Sequence, residues 1–74
     1  EKNNNVVRGL HAGLDTSDCI IIGNSNHLIA TVDVKDLVIV ATEDATLVCN
    51  AKSAQRIKEL VKLIAGQPDL AKFV

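Results

Sequence analysis

Four side chains in this sequence are of the kinds that bind zinc: His11, Cys19, His27 and Cys49. The gaps between successive candidates are 8, 8 and 22 residues. Zinc sites usually contain a closely spaced pair of cysteines or histidines, and this sequence has no such pair. We interpret the cysteines as reduced thiols that pack as small hydrophobic side chains. A zinc-stabilised domain remains an alternative, since strands can bring distant residues together.

Carboxylates form a second set of candidate ligands: Asp33, Asp36, Glu43 and Asp44. Carboxylate oxygens bind Mg²⁺ or Ca²⁺, and paired carboxylates act as general acids and bases. All four residues lie at predicted strand ends and turns, where Asp is common because its side chain bonds to nearby backbone. We interpret them as turn residues. The alternative function is a stand-alone binding or scaffold domain that holds a cation through them.

Neither nucleophile nor phosphate loop is evident. Ser17, Ser25 and Ser53 are outside any G-x-S-x-G pattern, which would expose a nucleophilic serine on a tight turn. The glycines form neither G-x-G-x-x-G nor G-x-x-x-x-G-K-[ST], the two common phosphate-binding loops. We therefore predict no catalytic, cofactor-binding or metal-binding residue in this chain.

The elements that carry these side chains are predicted to be about five short strands. The stretch CIIIG is rich in β-branched residues, which favour strands. In HLIATVDV, alternation places Leu28, Ala30, Val32 and Val34 on one face and a more polar set on the other. The stretch LVIVA is apolar on both faces and should be the most buried strand. Turns are predicted at residues 15–18, 23–26, 35–36 and 42–44 from their Asp, Asn, Ser and Gly content.

One amphipathic helix is predicted after the strands, at about residues 51–65. Asn50 is a suitable N-cap because its side chain can accept a hydrogen bond from a following backbone N–H. Gly66 and Pro68 are typical of a helix end. The apolar face, which we predict to be a packing or interface surface, consists of Ile57, Leu60, Val61 and Ile64.

Together these elements predict one mainly β domain, a small β-roll or β-helix-like module or a meander, followed by one C-terminal α-helix. We divide the chain into a linker remnant at 1–5, the module with its helix at 6–66, and a tail at 67–74. The sequence opens with EKNNN and no Met. We therefore expect it to be a piece of a longer protein.

Composition argues against two classes of partner. The net charge is −1, the pI is about 6.1 and Phe73 is the one aromatic residue. Nucleic acid requires clustered basic residues and often aromatic stacking platforms, and anionic membrane surfaces also attract basic helices. We expect neither nucleic acid nor a membrane as partner. No apolar run reaches the roughly 18 residues of a membrane span.

From about Asn5 to Ile64 the sequence resembles bacterial mannose-1-phosphate guanylyltransferases, in the region that follows their nucleotidyltransferase domain. Asp15-Thr16 and Cys19 match the family's D-T-x-x-C strand start. The family's D-L pair and its T-x-D-A-x-x-V stretch are matched by Asp36, Leu37, Thr42, Asp44, Ala45 and Val48. The A-Q-x-x-K-x-x-V stretch of the helix is matched by Ala54, Gln55, Lys58 and Val61. Two residues depart from the pattern: Asp33 replaces a frequent glycine, and Ala41 replaces a frequent aspartate.

The resemblance implies a structural role. In that family this region is a short β-helix-like cap that packs on the catalytic domain and contributes to dimerisation. The parent reaction joins GTP and mannose 1-phosphate into GDP-mannose and pyrophosphate with the help of Mg²⁺, in a catalytic domain outside these residues. The expected partners are therefore the parent nucleotidyltransferase domain and a second copy in a homodimer, and the expected location is cytoplasmic.

Overall fold

The computed structural model describes residues 4–73. Within that range six strands precede the helical segments, one more than the sequence predicted. The strands are β1 (Val6–Arg8), β2 (Leu10–Ser17), β3 (Ile20–Ile22), β4 (Leu28–Lys35), β5 (Leu37–Ala41) and β6 (Thr46–Asn50). They are followed by a 3₁₀ helix (Ala51–Arg56), helix α1 (Ile57–Ala65) and a second 3₁₀ helix (Ala71–Phe73).

The strands form two sheets between which the chain alternates. The first sheet has the order β1-β3-β5-β6 and the second consists of β2 and β4. Every pairing is parallel except that of β5 with β6, which is antiparallel. A chain whose successive strands alternate between two sheets, and pair in parallel within each sheet, winds as a β-helix. The predicted fold class, a mainly β, β-helix-like module with one C-terminal α-helix, is therefore confirmed.

From β2 onward, successive coils of the winding repeat every 18 residues, whereas the first pairing, Val6 with Ile20, joins residues 14 apart. Leu10 pairs with Leu28 in the second sheet, and Ile20 pairs with Val38 in the first, both 18 residues further along the chain. The segments LDTSDCIII (14–22) and VDVKDLVIV (32–40) are the two copies in sequence. This repeat is visible in the sequence, and the sequence analysis missed it.

Four aspartates of the repeat adopt the left-handed backbone conformation. Their φ angles are 50° at Asp15, 55° at Asp18, 53° at Asp33 and 58° at Asp36. Asp visits this region more readily than most residues because its side chain can bond locally. The predicted turn at 15–18 is wrong for residues 15–17, because β2 continues to Ser17 and accommodates Asp15 as an irregularity; the chain bends at Asp18. Glycine, which the resemblance implies at position 33, adopts this conformation without strain.

The irregularity at Asp33 changes which side chains of β4 point inward. Before it, Ile29 is half-buried and Thr31 is buried, whereas Leu28 and Val32 are exposed. After it, Val34 packs against the core. The predicted strict alternation, with Leu28, Ala30, Val32 and Val34 on one face, is therefore wrong. A left-handed residue within a strand shifts the two-residue period, so the faces exchange at that point.

The core lies between the two sheets. Cys19 and Ile21 are fully buried, and Ile39 and Ala41 are nearly so. Partly buried residues packed against them are Ile29, Val34 and Leu37. The prediction that LVIVA is the most buried strand is confirmed, since all five of its residues are buried or half-buried. Cys19 is a buried free thiol, as expected.

The helical segment begins at the predicted cap. The Asn50 side-chain oxygen accepts a hydrogen bond from the backbone N–H of Lys52 at 2.8 Å. The first part of the segment is a 3₁₀ helix and the α-helix proper begins at Ile57. The segment ends at Gly66, whose N–H donates to the Lys62 carbonyl at 3.1 Å.

Of the linker predicted at 1–5, residues 1–3 lie outside the described range. The Asn5 side chain bonds the backbone of Thr16 and Cys19.

Substitutions at Asp33 test the left-handed conformation. We expect Asp33→Ala to be less stable than Asp33→Gly by about 1 kcal/mol, because a left-handed backbone costs residues with a Cβ roughly 1–2 kcal/mol. Urea unfolding followed by circular dichroism measures the difference. Asp44→Ala is the control, at an exposed turn residue with negative φ, and should change stability by less than about 0.5 kcal/mol. Equal stability of the two Asp33 variants would contradict the assigned conformation.

Candidate functional site

The four candidate zinc ligands lie apart in the structure. Cys19 is in the core, where its Sγ donates to the Ser17 carbonyl at 3.2 Å. His27 is in the exposed loop before β4, and Cys49 is half-buried on β6. Within residues 4–73, no three His, Cys, Asp or Glu side chains are close enough together to hold a metal ion. The geometry therefore offers the zinc alternative no support.

The candidate carboxylates lie at opposite ends of β5. Asp36 directly precedes the strand, and Glu43 and Asp44 lie in the turn that follows it. A five-residue strand is roughly 16 Å long at about 3.3 Å per residue. In the turn, the Thr42 hydroxyl donates to the Ala45 carbonyl at 3.1 Å, as expected of turn-forming residues. The carboxylates therefore do not form one cation site.

Two loops on the same side of the module line an open polar groove. Its volume is about 500 Å³, and it lies between the loop after β3 and the turn after β5. The residues that line it are Asn24, Asn26, His27, Thr42, Glu43, Asp44, Ala45 and Thr46. Several of these side chains are used within the loops themselves, such as Asn24, whose Oδ1 accepts from the Asn26 N–H at 2.9 Å.

A buried polar network lies inside the second sheet. The hydroxyls of Thr16 and Thr31 are 2.6 Å apart, and His11 Nε2 is 2.9 Å from the Thr31 hydroxyl. The Thr16 hydroxyl also donates to the Leu14 carbonyl at 3.2 Å. Because the Thr16 hydroxyl proton is used in the bond to Leu14, the Thr31 hydroxyl donates to Thr16 Oγ1. The His11 Nε2–H then donates to Thr31 Oγ1. Each hydroxyl then has both a donor and an acceptor partner, as buried polar groups require.

Gly13 lies directly against this network. A Cβ at that position would be 2.9 Å from His11 Cε1 and from both threonine hydroxyls. Sequence reasoning missed the network, because His11 and the threonines are far apart along the chain. The 18-residue repeat was the available signal, since it pairs Gly13 with Thr31 across the sheet. The hydroxyls are shielded from solvent and satisfied, so the arrangement is suited to stabilising the fold.

The outer face of the second sheet is apolar and exposed. Its side chains are Leu10, Ala12 and Leu14 on β2 and their pairing partners Leu28, Ala30 and Val32 on β4; we call this set the outer apolar face. Leu14 is 68% exposed and Val32 66%. A contiguous apolar patch of this kind marks an interaction site in a folded protein.

The helical segment lies beside β6, which its 3₁₀ part contacts. A groove of about 440 Å³ lies between β6 and the helical segment. It is lined by Leu47, Cys49, Ser53, Arg56, Ile57, Glu59, Leu60 and Leu63. Of the four residues predicted as the packing face, Ile57 and Leu60 line this groove, Ile64 is half-buried and Val61 is exposed. Their use as an interface stays a prediction.

The winding of the chain between the two sheets defines the class of the domain, a small β-helix module. Residues 9–64 match the family model described as MannoseP isomerase/GMP-like beta-helix domain. The match covers more than half of the chain, and the chain therefore belongs to this family.

Three curated relatives show the enzymes in which the family occurs. A putative mannose-1-phosphate guanylyltransferase of Vibrio cholerae is 37% identical over 67 residues, 90% of this chain. The mannose-1-phosphate guanylyltransferase of Salmonella montevideo is 34% identical over 64 residues, 86% of this chain. The alginate biosynthesis protein AlgA of Pseudomonas putida is 30% identical over 67 residues, again 90% of this chain. The chain spans only 13% to 14% of the length of these relatives.

A solved structure has the same fold. The crystal structure of a protein called mannose-1-phosphate geranyltransferase, from Thermus thermophilus, is similar with a TM-score of 0.77 and 30% sequence identity. The similarity covers 89% of this chain and 20% of that one.

Among residues 4–73 of this chain, no helix is both long and apolar enough to span a membrane.

Proposed function

We propose that this chain is the non-catalytic structural and assembly module of a mannose-1-phosphate guanylyltransferase. In the parent reaction, a phosphate oxygen of mannose 1-phosphate attacks the α-phosphate of GTP. The bond to the β-phosphate breaks, pyrophosphate leaves and GDP-mannose forms. In this proposal the substrates and Mg²⁺ bind to a nucleotidyltransferase domain outside these residues.

The observation that carries the proposal is the exposed outer apolar face of a domain that belongs to the MannoseP isomerase/GMP-like beta-helix family. Six apolar side chains of β2 and β4 lie side by side and uncovered. The side chains capable of chemistry are dispersed or are used to hold turns and the core. A surface of this composition supports packing against a neighbouring domain. The proposal therefore includes contact with the nucleotidyltransferase domain. It also includes what the family resemblance implies, assembly into a homodimer and a cytoplasmic location.

Lysine substitutions on the outer apolar face test the packing role. In the whole enzyme, we expect Leu14→Lys and Val32→Lys to lower the thermal unfolding midpoint and the yield of GDP-mannose, because each places a charge in an apolar contact. Both positions are exposed in the module, so its own fold should tolerate lysine. Ser25→Lys, in the exposed loop after β3, is the matched control. Lysine variants of the face that behave like Ser25→Lys would contradict the packing role.

Assaying the isolated 74-residue chain tests the non-catalytic part. Incubation with GTP, mannose 1-phosphate and Mg²⁺ should release no pyrophosphate above the buffer rate. Release that depends on the chain and on both substrates would overturn the proposal.

A further inference from the structure

The free edge of β4 is the starting observation. Strand β4 pairs with β2 along one edge, and these two strands make up the second sheet. Among residues 4–73, the backbone and side-chain hydrogen bonds of residues 28–35 all go to β2. In a parallel pair, about half of a strand's backbone N–H and C=O groups point to its second edge. Those groups of β4 have no partner within this part of the chain.

The 18-residue repeat indicates what belongs next to that edge. The strands of the second sheet begin at Leu10 and Leu28, so a third would begin at residue 46. Strand β6 does begin at Thr46, but it turns back and pairs antiparallel with β5 in the first sheet. No strand formed by residues 4–73 occupies the position that the repeat assigns to a third strand of the second sheet. We call it the open third position.

Val48 confirms that this position is uncovered. It is paired with Ile39 across β5 and β6, and directly paired residues point to the same side of a sheet. Ile39 is only 6% exposed, because the second sheet covers it, whereas Val48 is 57% exposed. An inward-facing valine is thus exposed at the point where a third strand would lie opposite it.

We propose that an extended segment of a partner polypeptide occupies the open third position by adding a strand to β4. A row of unpaired backbone donors and acceptors is matched by another extended backbone, as in strand addition at other sheet edges. The left-handed Asp33 interrupts the edge, so the pairing involves Leu28–Val32. The exposed side chains that would lie next to the added strand are apolar: Leu28 and Val32 on the outer face of β4, and Val48 on the inner face of β6. The segment is therefore about five residues long, uncharged and apolar on both faces.

Amide NMR spectra of the 74-residue chain with a strand peptide test the proposal. The peptide is Leu-Val-Ile-Val-Ala, the sequence of β5, with one lysine at each end for solubility. We expect saturable shifts confined to residues 28–32 and 46–50, and slower amide hydrogen exchange in residues 28–32. A peptide N-methylated at alternate residues, which cannot form the ladder, should produce no such shifts.

Two substitutions at similarly exposed residues distinguish peptide binding at the open third position from binding at the outer apolar face. Val48→Lys should weaken peptide binding at least tenfold, whereas Leu14→Lys should leave it within twofold. Binding that Leu14→Lys removes, equal binding of the N-methylated peptide, or no binding at millimolar peptide would each overturn the proposal. So would concentration-dependent shifts without peptide at residues 28–32, because a second copy would then be the occupant. The result is independent of the function proposed above.

Discussion

Ile21→Ala should destabilise the module more than any other single truncation of an aliphatic side chain. Ile21 is fully buried at the centre of β3 and packs with Cys19 and Ile39. Truncating a buried isoleucine to alanine typically costs about 2–5 kcal/mol, through lost burial and the cavity left behind. A domain of this size rarely has more than about 3–5 kcal/mol of stability from its core. We therefore expect a large unfolded fraction at 25 °C.

Urea unfolding followed by far-ultraviolet circular dichroism measures the effect. The matched control is Ile20→Ala, its neighbour on the outer side of the same strand, which is 40% exposed. That substitution should cost clearly less than Ile21→Ala, since part of the Ile20 side chain is already in water and its removal leaves no enclosed cavity. If the two variants were equally stable, the assignment of Ile21 to the core between the sheets would be wrong.

Thr31→Val should destabilise the module by about 1–3 kcal/mol although it preserves the size of the side chain. The substitution removes the hydroxyl that links His11 to Thr16. Buried polar groups that lose their partner retain the cost of leaving water, which is about 1–3 kcal/mol. Thr46→Val, at an exposed threonine of β6, is the control. Its free energy of unfolding should be within about 0.5 kcal/mol of that of the unsubstituted module.

The double variant Thr16→Val with Thr31→Val shows whether the two hydroxyls act as a pair. Removing both leaves fewer unsatisfied groups than the two single changes together, so the double variant should cost clearly less than their sum. The coupling is measured from the free energies of unfolding of the four proteins in the cycle. Simple additivity would mean that the 2.6 Å contact between the hydroxyls contributes nothing to stability.

Where a local pattern determined the structure, the sequence was sufficient. The apolar run of β5 and the helix from Asn50 to Gly66 follow from composition, spacing and a side-chain cap, and each is present. Alternation in β4 failed because one left-handed residue, Asp33, reverses the faces, and nothing in a two-residue period indicates such a residue. The repeat of D-x-x-D at 15–18 and 33–36 was the available sign.

Features that depend on pairing between coils were beyond the sequence analysis. The network of His11, Thr16 and Thr31 exists because the winding brings residues 15 to 20 positions apart into contact. Alternation placed Leu28, Ala30 and Val32 on one face of β4, but only the pairing with β2 shows that they belong to the outer apolar face and are exposed. The turn at 42–44 that reverses β6 onto β5 was predicted from composition, but composition does not show that β6 leaves the winding there and so leaves the open third position.

The central claim is that this module serves a nucleotidyltransferase whose catalytic domain lies outside these residues. Sequencing the coding DNA upstream of Glu1 tests it most directly. The account predicts an open reading frame that continues upstream and encodes a glycine-rich G-G-x-G-x-R-L loop after a predicted strand. A start codon within a few residues of Glu1, with no such domain in frame, would contradict it and favour a free-standing binding or scaffold domain.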